Sequence, residues 1–449
     1  MIEMNKIQYC YFVGIGGIGM SALARYMKLL GKEVAGYDKT PSAVTNALVA
    51  EGIMVSFEDH IKALPEWVLS EDNVLIIYTP AIPRSNTLLI HFLTNRYLVV
   101  KRAGLLGEVT KNSICLAVAG THGKTTTSAI LGHLLAACNM PVTAFLGGIA
   151  ENYQSNFISK GTEITVVEAD EFDRSFLTLS PDIACVTSMD ADHLDIYGDA
   201  DSLESAFSEF ATLVKNKSHL LHKKGLPLNG QTVAVEEVAD FEARNVRVEN
   251  GAYKFDLKTP KETLTDLQFY LPGHHNLHNA VTALGMAILV GAPLNGLPNA
   301  LETFKGVHRR FSYRIRRDDL VLIDDYAHHP TELNALYQAV SEMYPNDKKQ
   351  IVFQPHLFSR TRDFALGFAE SLSQFDEVVL LDIYPAREEP ITGITSEWLL
   401  AMISSEEKSL VTKEALNSVL EASSSRIKLM VGAGDIGAEV ERITKNLER

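Results

Sequence analysis

A chain of 449 residues is too long for one ordinary domain and suggests about three. Its 46% hydrophobic and 22% charged residues are ordinary for a soluble globular protein, and a chain this size can bury a core in each domain without disulfide or metal staples. A formal net charge of -15 argues against a broad nucleic-acid footprint, which needs a basic surface, but leaves room for phosphate held locally by backbone amides and a few arginines.

Cys10, Cys115, Cys138 and Cys185 lack CxxC spacing and read as buried free thiols of a reducing compartment. No apolar run reaches the eighteen or so residues that span a bilayer. Lys6 followed by Ile7 through Met20 has the length of a short secretory signal, but its four glycines suit a strand and phosphate loop better. The expectation is a cytoplasmic protein without membrane insertion, a monomer or weak homodimer.

In chain order, Tyr9 to Val13 reads as a strand, followed by a glycine loop and an amphipathic helix from about Met20 to Leu30. Further strands are expected at Glu33 to Tyr37, ending at Asp38, at Val74 to Tyr78 and at Leu98 to Val100. A second domain starts near Lys111 with a short apolar strand, Ile114 to Ala119, then a glycine turn and a helix to about Ala137. Strands follow at Ile164 to Val167 and Ile183 to Thr187. The more polar stretch from about Lys215 to Tyr270 reads as short antiparallel strands with loops. Helices from about Asn276 to Val290 and from Pro298 to Phe304 close this domain. A third has strands at Leu320 to Ile323, Gln350 to Phe353, Glu377 to Leu381 and Leu429 to Val431, the last entering the turn Gly432-Ala433-Gly434-Asp435. Strands alternating with helical patterns indicate an α/β protein with parallel sheets. The domains are expected at 1–110, 111–308 and 309–449.

Gly14-Ile15-Gly16-Gly17-Ile18-Gly19 fits GxGxxG, with Asp38 placed to accept from a ribose hydroxyl or to end its strand in solvent. Glycines permit the tight turn and the close approach of a diphosphate, and the following helix offers amide donors and a partial positive charge. The motif alone fits a nicotinamide dehydrogenase as well as a nucleotide-diphosphate site.

Gly120-Thr121-His122-Gly123-Lys124-Thr125 lies between a strand and a helix, the context a phosphate loop requires. Its spacing is GxxGK[ST], shorter than the usual GxxxxGK[ST]. Lys124 would neutralise terminal phosphates and Thr125 would ligate magnesium. Thr125-Thr126-Thr127 at a helix start lowers helix propensity, so the run needs a functional reason. Glu168-Ala169-Asp170-Glu171 and Asp190-Ala191-Asp192-His193 each follow a strand, so a parallel sheet would set both beside this loop. One or two carboxylates suffice for magnesium.

Together these residues resemble the Mur ligase family over nearly the whole chain. The resemblance rests on GIGGIGMS at Gly14 to Ser21, GTHGKTTT at Gly120 to Thr127, EADEFDRSF at Glu168 to Phe176 and DADHLD at Asp190 to Asp195. It continues with HNLHN at His275 to Asn279, GVHRRF at Gly306 to Phe311, DDYAHHPTE at Asp324 to Glu332 and SRTRDF at Ser359 to Phe364. It implies an N-terminal Rossmann-like UDP-binding domain, a central P-loop ATPase-like domain with a mainly parallel sheet, and a C-terminal Rossmann-like domain that closes over the site. The diphosphate on the first loop would then be that of UDP, which disposes of the dehydrogenase.

By the same resemblance the reactants are ATP, UDP-N-acetylmuramate and L-alanine, with two magnesium ions, or manganese in their place. Gly14, Gly16, Gly17, Ile18, Gly19 and Asp38 would hold the UDP-sugar. Gly120 through Thr126 would cradle ATP, with Thr121, His122 and Gly123 in the loop and Lys124 on the phosphates. Thr125, Glu168 and His193 would serve the metal ions. His275, Asn276 and Asn279 look like the adenine side. Arg309 would reach ATP phosphate and Arg310 the sugar substrate. Asp325, Tyr326 and His328, with Arg360, resemble the group around nucleoside, acyl intermediate and amino acid. Arg360 suits the amino-acid carboxylate because its fork of donors matches it bidentately, and Tyr384 with Arg387 and Glu388 would finish that pocket.

Two departures matter. Several members carry a modified lysine some fifteen residues after the metal histidine; here Ser208 stands there, as in the alanine-adding branch. Leu357 follows Pro355-His356 where some relatives have arginine, which leaves Arg360 as the carboxylate clamp. The implied reaction forms an acyl phosphate that the amine of the amino acid then attacks, with His328 or His329 as the base. A relative adding a preformed tripeptide shares many of these motifs. A UDP-sugar sensor without turnover would keep the first loop and lose Lys124, Thr125, Glu168 and His193, all of which are present.

Overall fold

The computed structural model describes residues 3–190, 197, 199–249, 252–386 and 388–447. His193 and Asp192 of the expected metal motif, and Arg387, lie outside the described residues. Among the described residues the strands form three sheets.

The first sheet holds β1 (Tyr9–Val13), β2 (Glu33–Tyr37), β3 (Met54–Ser56), β4 (Val74–Tyr78) and β5 (Leu98–Lys101). All run parallel, in the order β3-β2-β1-β4-β5. The chain leaves β1 toward β2 on one side and later returns to β4 on the other. The loop after β1 therefore opens at the switch point, where open α/β sheets receive ligands. The helix after that loop is Ile18–Leu29, two residues earlier than expected, because the turn closes at Gly17.

The second sheet holds β6 (Ile114–Ala119), β7 (Val142–Ala150), β8 (Ser155–Ser159), β9 (Ile164–Glu168), β10 (Ile183–Val186), β11 (Leu220–Lys223), β12 (Gln231–Val235), β13 (Phe241–Glu249), β14 (Ala252–Lys258) and β15 (Thr263–Phe269). Their order is β15-β14-β13-β12-β11-β10-β6-β9-β7-β8. The hairpin of β7 and β8 is antiparallel, while β6, β7, β9 and β10 pair parallel. The polar stretch departs from expectation: β11, β12 and the start of β13 pair parallel rather than antiparallel. A short connection suffices between Val235 and Phe241 because the ladder there runs only from Val233–Phe241 to Val235–Ala243. The chain steps back by only about two residue rises, roughly 7 Å.

The third sheet holds β16 (Ser312–Arg316), β17 (Val321–Asp325), β18 (Lys349–Phe353), β19 (Glu377–Leu380), β20 (Glu407–Leu410) and β21 (Ile427–Val431). Its order is β16-β17-β21-β18-β19-β20, with β16 an antiparallel edge and the others parallel.

The chain packs as two compact units. One comprises Met1–Val246, Phe255–Leu267 and His278–Phe304, the other Arg247–Lys254, Gln268–Leu277 and Lys305–Arg449. Within the first unit one apolar core joins the first two sheets, from Phe12 and Leu23 to Cys115, Phe207 and Leu220. Buried Asn156 on β8 reinforces that join: it donates to Ile18 O at 2.6 Å and Ser21 Oγ at 3.0 Å, and accepts from Arg25 Nη1 at 2.5 Å. In the second unit two cores flank the third sheet. Phe353 and Leu380 face one and their neighbours Val352 and Val379 the other, as the two-residue period of strands requires.

All four cysteines are free; Cys10, Cys115 and Cys185 are buried, while Cys138, which ends its helix, is half-buried. No helix among the described residues is long and apolar enough to cross a membrane.

Candidate functional site

The phosphate-loop sequence leaves β6 at Ala119 and enters the helix Lys124–Ala137. Gly120 has φ +132°, and a Cβ there would lie 2.1 Å from Thr187 Oγ1 and 2.9 Å from the amide nitrogens of Thr187 and Ser188. Only glycine fits so close to the neighbouring backbone. The loop is braced against the end of β10: Thr121 N donates to Ser188 O at 3.2 Å, His122 N to Ser188 Oγ at 2.8 Å, and Asp190 N to Thr121 Oγ1 at 3.1 Å. His122 Nε2 lies 3.5 Å from Asp190 Oδ2. Asn279, on the helix His274–Leu289, packs against the turn at Gly123, where a Cβ would come 2.6 Å from its Oδ1. Thr126, in the first turn of the helix, is buried.

Lys124 donates to Gly120 O at 2.6 Å and to both oxygens of Glu171 at 2.8 and 2.9 Å. Burial pulls this ammonium down, but Glu171, Asp170 and Glu168 outweigh it and raise its pKa above the ordinary lysine value. Beside it, the Glu168 carboxylate accepts from Thr125 Oγ1 at 3.2 Å, Ser128 Oγ at 3.1 Å and Gly147 N at 2.5 Å. No cluster of three or more His, Cys, Asp or Glu forms a metal cage among the described residues. Magnesium does not need one, since a carboxylate, a hydroxyl, water and substrate phosphate satisfy it. The paired Thr125 hydroxyl and Glu168 carboxylate fit such an ion.

The N-terminal glycine loop is held by Tyr37 O, which accepts from Gly14 N at 2.7 Å and Ile15 N at 2.9 Å. Asp38, half-buried at the end of β2, is tied to the glycine loop. Its Oδ2 accepts from Gly16 N at 2.7 Å and its Oδ1 from Lys39 N at 2.8 Å, which helps to shape the loop. Arg102 lies over the start of the first helix: a Cβ on Gly19 would fall 2.8 Å from its Nη1. Its Nη2 lies 3.5 Å from Asp170 Oδ2. Ile18, Gly19, Arg102, Gly147, Glu168 and Asp170 line a cleft of about 250 Å³ leading from the glycine loop to Glu168. The sequence points to no role for Arg102 or Ser128, and offers Asp170 and Glu171 only as candidate magnesium carboxylates beside the loop. The acidic run after β9 was visible, but which carboxylate faces the lysine depends on the turn after the strand.

The second unit carries a separate polar cluster. Asp325, at the end of β17, accepts from Phe311 N at 2.7 Å and Ala327 N at 2.8 Å. Burial pushes its pKa up to about 6, against the opposing influence of Arg310 and these bonds. Arg309 and Arg310 place their guanidinium carbons 5.1 and 5.2 Å from the centre of the Tyr326 ring. Arg309 turns inward, donating to Gly432 O and lying 3.4 Å from buried Asp324, while Arg310 lies 3.8 Å from Glu332. His275, exposed in the first turn of its helix, feels Glu332 and Arg310 in opposite senses. Asn276 Nδ2 donates to Pro272 O at 2.7 Å.

The two adjacent histidines separate in role. His329 caps the helix Pro330–Met343, accepting from Thr331 N at 3.3 Å, and packs edge-on against Phe364. His328 Nδ1 lies 2.9 Å from Tyr326 O. A carbonyl only accepts, so the proton sits on Nδ1 and a neutral ring keeps its lone pair on Nε2. Burial lowers the pKa of His328, which favours the neutral ring at physiological pH. Arg360 Nη1 lies 3.4 Å from His356 Nδ1, and Tyr384 stacks on the His356 ring with centroids 5.7 Å apart.

A switch-point glycine loop, a phosphate-loop turn with a Thr-Glu pair, and a third sheet bearing Asp325, His328 and Arg360 fit a nucleotide-dependent ligase built from α/β domains. Comparison with known families agrees. Residues 9–113 match the Mur ligase family, catalytic domain; residues 118–287 the Mur ligase middle domain; and residues 309–437 the Mur ligase, glutamate ligase domain. The UDP-N-acetylmuramate–L-alanine ligase of Christiangramia forsetii is 58% identical over 448 residues, covering 100% of this chain and 99% of that protein. The same-named ligase of Flavobacterium psychrophilum is 57% identical, with 100% of both chains covered. The crystal structure of the Thermotoga maritima UDP-N-acetylmuramate-alanine ligase matches with a TM-score of 0.82 at 28% identity, over 98% of this chain and 99% of that one. The protein belongs to the Mur ligase family, whose members are ATP-dependent ligases.

Proposed function

We propose that the protein joins L-alanine to the carboxylate of UDP-N-acetylmuramate, releasing ADP and phosphate, as the first peptide step of cytoplasmic peptidoglycan precursor synthesis. The observation that carries this is the end-to-end identity of 58% with a ligase of that name. The phosphate loop with its Lys124, Thr125 and Glu168 supports the ATP-dependent part of it. The functional division follows the boundaries 1–110 for the UDP-sugar, 111–308 for ATP and 309–449 for the amino acid.

A carboxylate is a poor acyl donor because oxide is a poor leaving group. Attack of the sugar-borne carboxylate on the γ-phosphate of ATP makes an acyl phosphate and releases ADP. The alanine amine then attacks the carbonyl, and phosphate leaves from the tetrahedral intermediate. Lys124 neutralises charge on the transferring phosphoryl group. The loop amides of Gly120 to Thr126 and Asn279 hold the nucleotide, and His275, Asn276, Arg309 and Asp325 are assigned to its adenosine and phosphate ends. Gly14 to Gly19, Asp38 and Arg310 hold the UDP-sugar. Arg360 takes the alanine carboxylate, Tyr326 and Tyr384 wall the pocket, and His328 Nε2 accepts the proton of the attacking amine. Thr125, Glu168 and His193 would hold two magnesium ions, which supply charge neutralisation to the phosphates when bound.

The test omits each reactant in turn. Phosphate release should require UDP-N-acetylmuramate, ATP and L-alanine together, and a preformed tripeptide should not replace L-alanine. Preference for the tripeptide, or release indifferent to the amino acid, would reject this reading.

A further inference from the structure

We propose that Glu388 is a positioning residue: it caps, from a distant loop, the short helix that carries Arg360, and so sets the geometry of the amino-acid site. The proposal rests on the reading above, in which Arg360 binds the amino-acid carboxylate.

The helix Phe358–Asp363 has only six residues, too few to hold together on local hydrogen bonds. It begins at Leu357, whose φ is +70° and whose side chain has no acceptor for the open N–H groups of the first turn. The acceptor comes from further along the chain. One oxygen of the Glu388 carboxylate accepts from Ser359 N at 3.0 Å, and the other accepts from Ser359 Oγ. Both bonds are charge-assisted, and a carboxylate at a helix start also opposes the partial positive charge there.

Ser359 directly precedes Arg360, so this clamp holds the turn from which the guanidinium projects. The rest of the loop is tied on separately. Leu357 N donates to Tyr384 O at 3.0 Å, Tyr384 N donates to Pro355 O at 2.8 Å, and the rings of Tyr384 and His356 stack. Those ties do not need the Glu388 side chain. Its removal should leave the loop docked but let the first turn fray, and a fork of donors loses its match to a carboxylate when its anchor moves.

The test measures kcat and separate KM values for L-alanine, ATP and UDP-N-acetylmuramate, with Tm, for E388A, E388Q, S359A, the S359A/E388A pair and R360A. E388A should raise the L-alanine KM by about tenfold, as loss of a helix cap allows, with the other two KM values within about twofold. E388Q keeps one acceptor and should show a smaller rise. S359A keeps the backbone donor and should also rise less, and the double variant should be no worse than E388A because both remove one clamp. If E388A fails to fold, E388Q and S359A carry the same comparison. An unchanged L-alanine KM in E388A or E388Q, with R360A still impaired, overturns the clamp and spares the reading of Arg360. An R360A enzyme with unchanged L-alanine KM overturns that reading first. Additive effects of S359A and E388A would mean that Glu388 touches the amino acid directly, and the clamp would be wrong. A fall in Tm and kcat without the KM split would also reject it.

Discussion

The Lys124 ammonium lies between the two carboxylate oxygens of Glu171, at 2.8 and 2.9 Å, and Glu171 is fully buried. The cation proposed to meet the transferring phosphoryl group is thus held by a carboxylate with no access to water. Lys124→Ala should reduce ATP-dependent amide formation by at least about a hundredfold, the scale of losing one strong charge-stabilising donor. Binding of the UDP-sugar should persist by calorimetry. Near-normal turnover would remove this loop from the chemistry. Breaking the buried pair from the other side, Glu171→Ala should lower unfolding stability by roughly 3 kcal/mol in denaturant titration, the low end for such pairs because Lys124 keeps some solvent contact.

Arg360→Ala should raise the L-alanine requirement by about a hundredfold, the cost of a bidentate charged pair, with the ATP KM little changed. Steady-state kinetics with each substrate varied in turn checks this.

Arg102 faces the cleft between the glycine loop and Glu168. If the glycine loop holds the diphosphate as proposed, an anion reaching from it toward Glu168 would pass this guanidinium. Arg102→Ala should raise the UDP-N-acetylmuramate KM by about tenfold or more and leave the ATP KM near normal, and Arg102→Lys should recover only part of the loss because lysine lacks the planar fork. An equal rise for both substrates would make the residue a general structural support.

His278 donates Nε2–H to Val233 O at 3.2 Å, and burial lowers its pKa to about 4. In the unfolded chain the same ring titrates near 6.5. As pH falls from about 6.5 to about 4, the unfolded state takes up a proton that the native state refuses. Stability should therefore fall by up to about 1.4 kcal/mol per pH unit in that window, and the effect should vanish above it. His278→Gln, which can still donate to Val233 O, should flatten this part of the dependence. Urea titrations at pH 7 and pH 5 decide it; equal slopes for the two proteins would show that His278 is already exposed.

Much of the fold was legible without coordinates. The apolar runs at Tyr9–Val13, Glu33–Tyr37, Val74–Tyr78 and Ile114–Ala119 are strands with those bounds, because a strand buried on both faces announces itself as a short continuous run. The hairpin of β7 and β8 was missed, since Gly147 and Gly148 interrupt its pattern like a loop. The direction of β11 to β13 was read wrongly, because polar composition marks exposure and not strand direction.

The residues alone determined the order of motifs along the chain: a glycine loop after the first strand, a phosphate-loop sequence after Ile114 to Ala119, and a run of acid, histidine and arginine in the last third. Each needs only a local turn and a neighbouring helix, and local sequence specifies both. Tertiary structure decided which groups meet. Glu171 reaching Lys124, Asp38 turning back onto Gly16, Arg102 lying over Gly19 and Glu388 clamping Ser359 join residues 22 to 83 positions apart. Such pairings arise only when sheet order and loop paths bring distant turns together, and no periodicity in the chain encodes that distance.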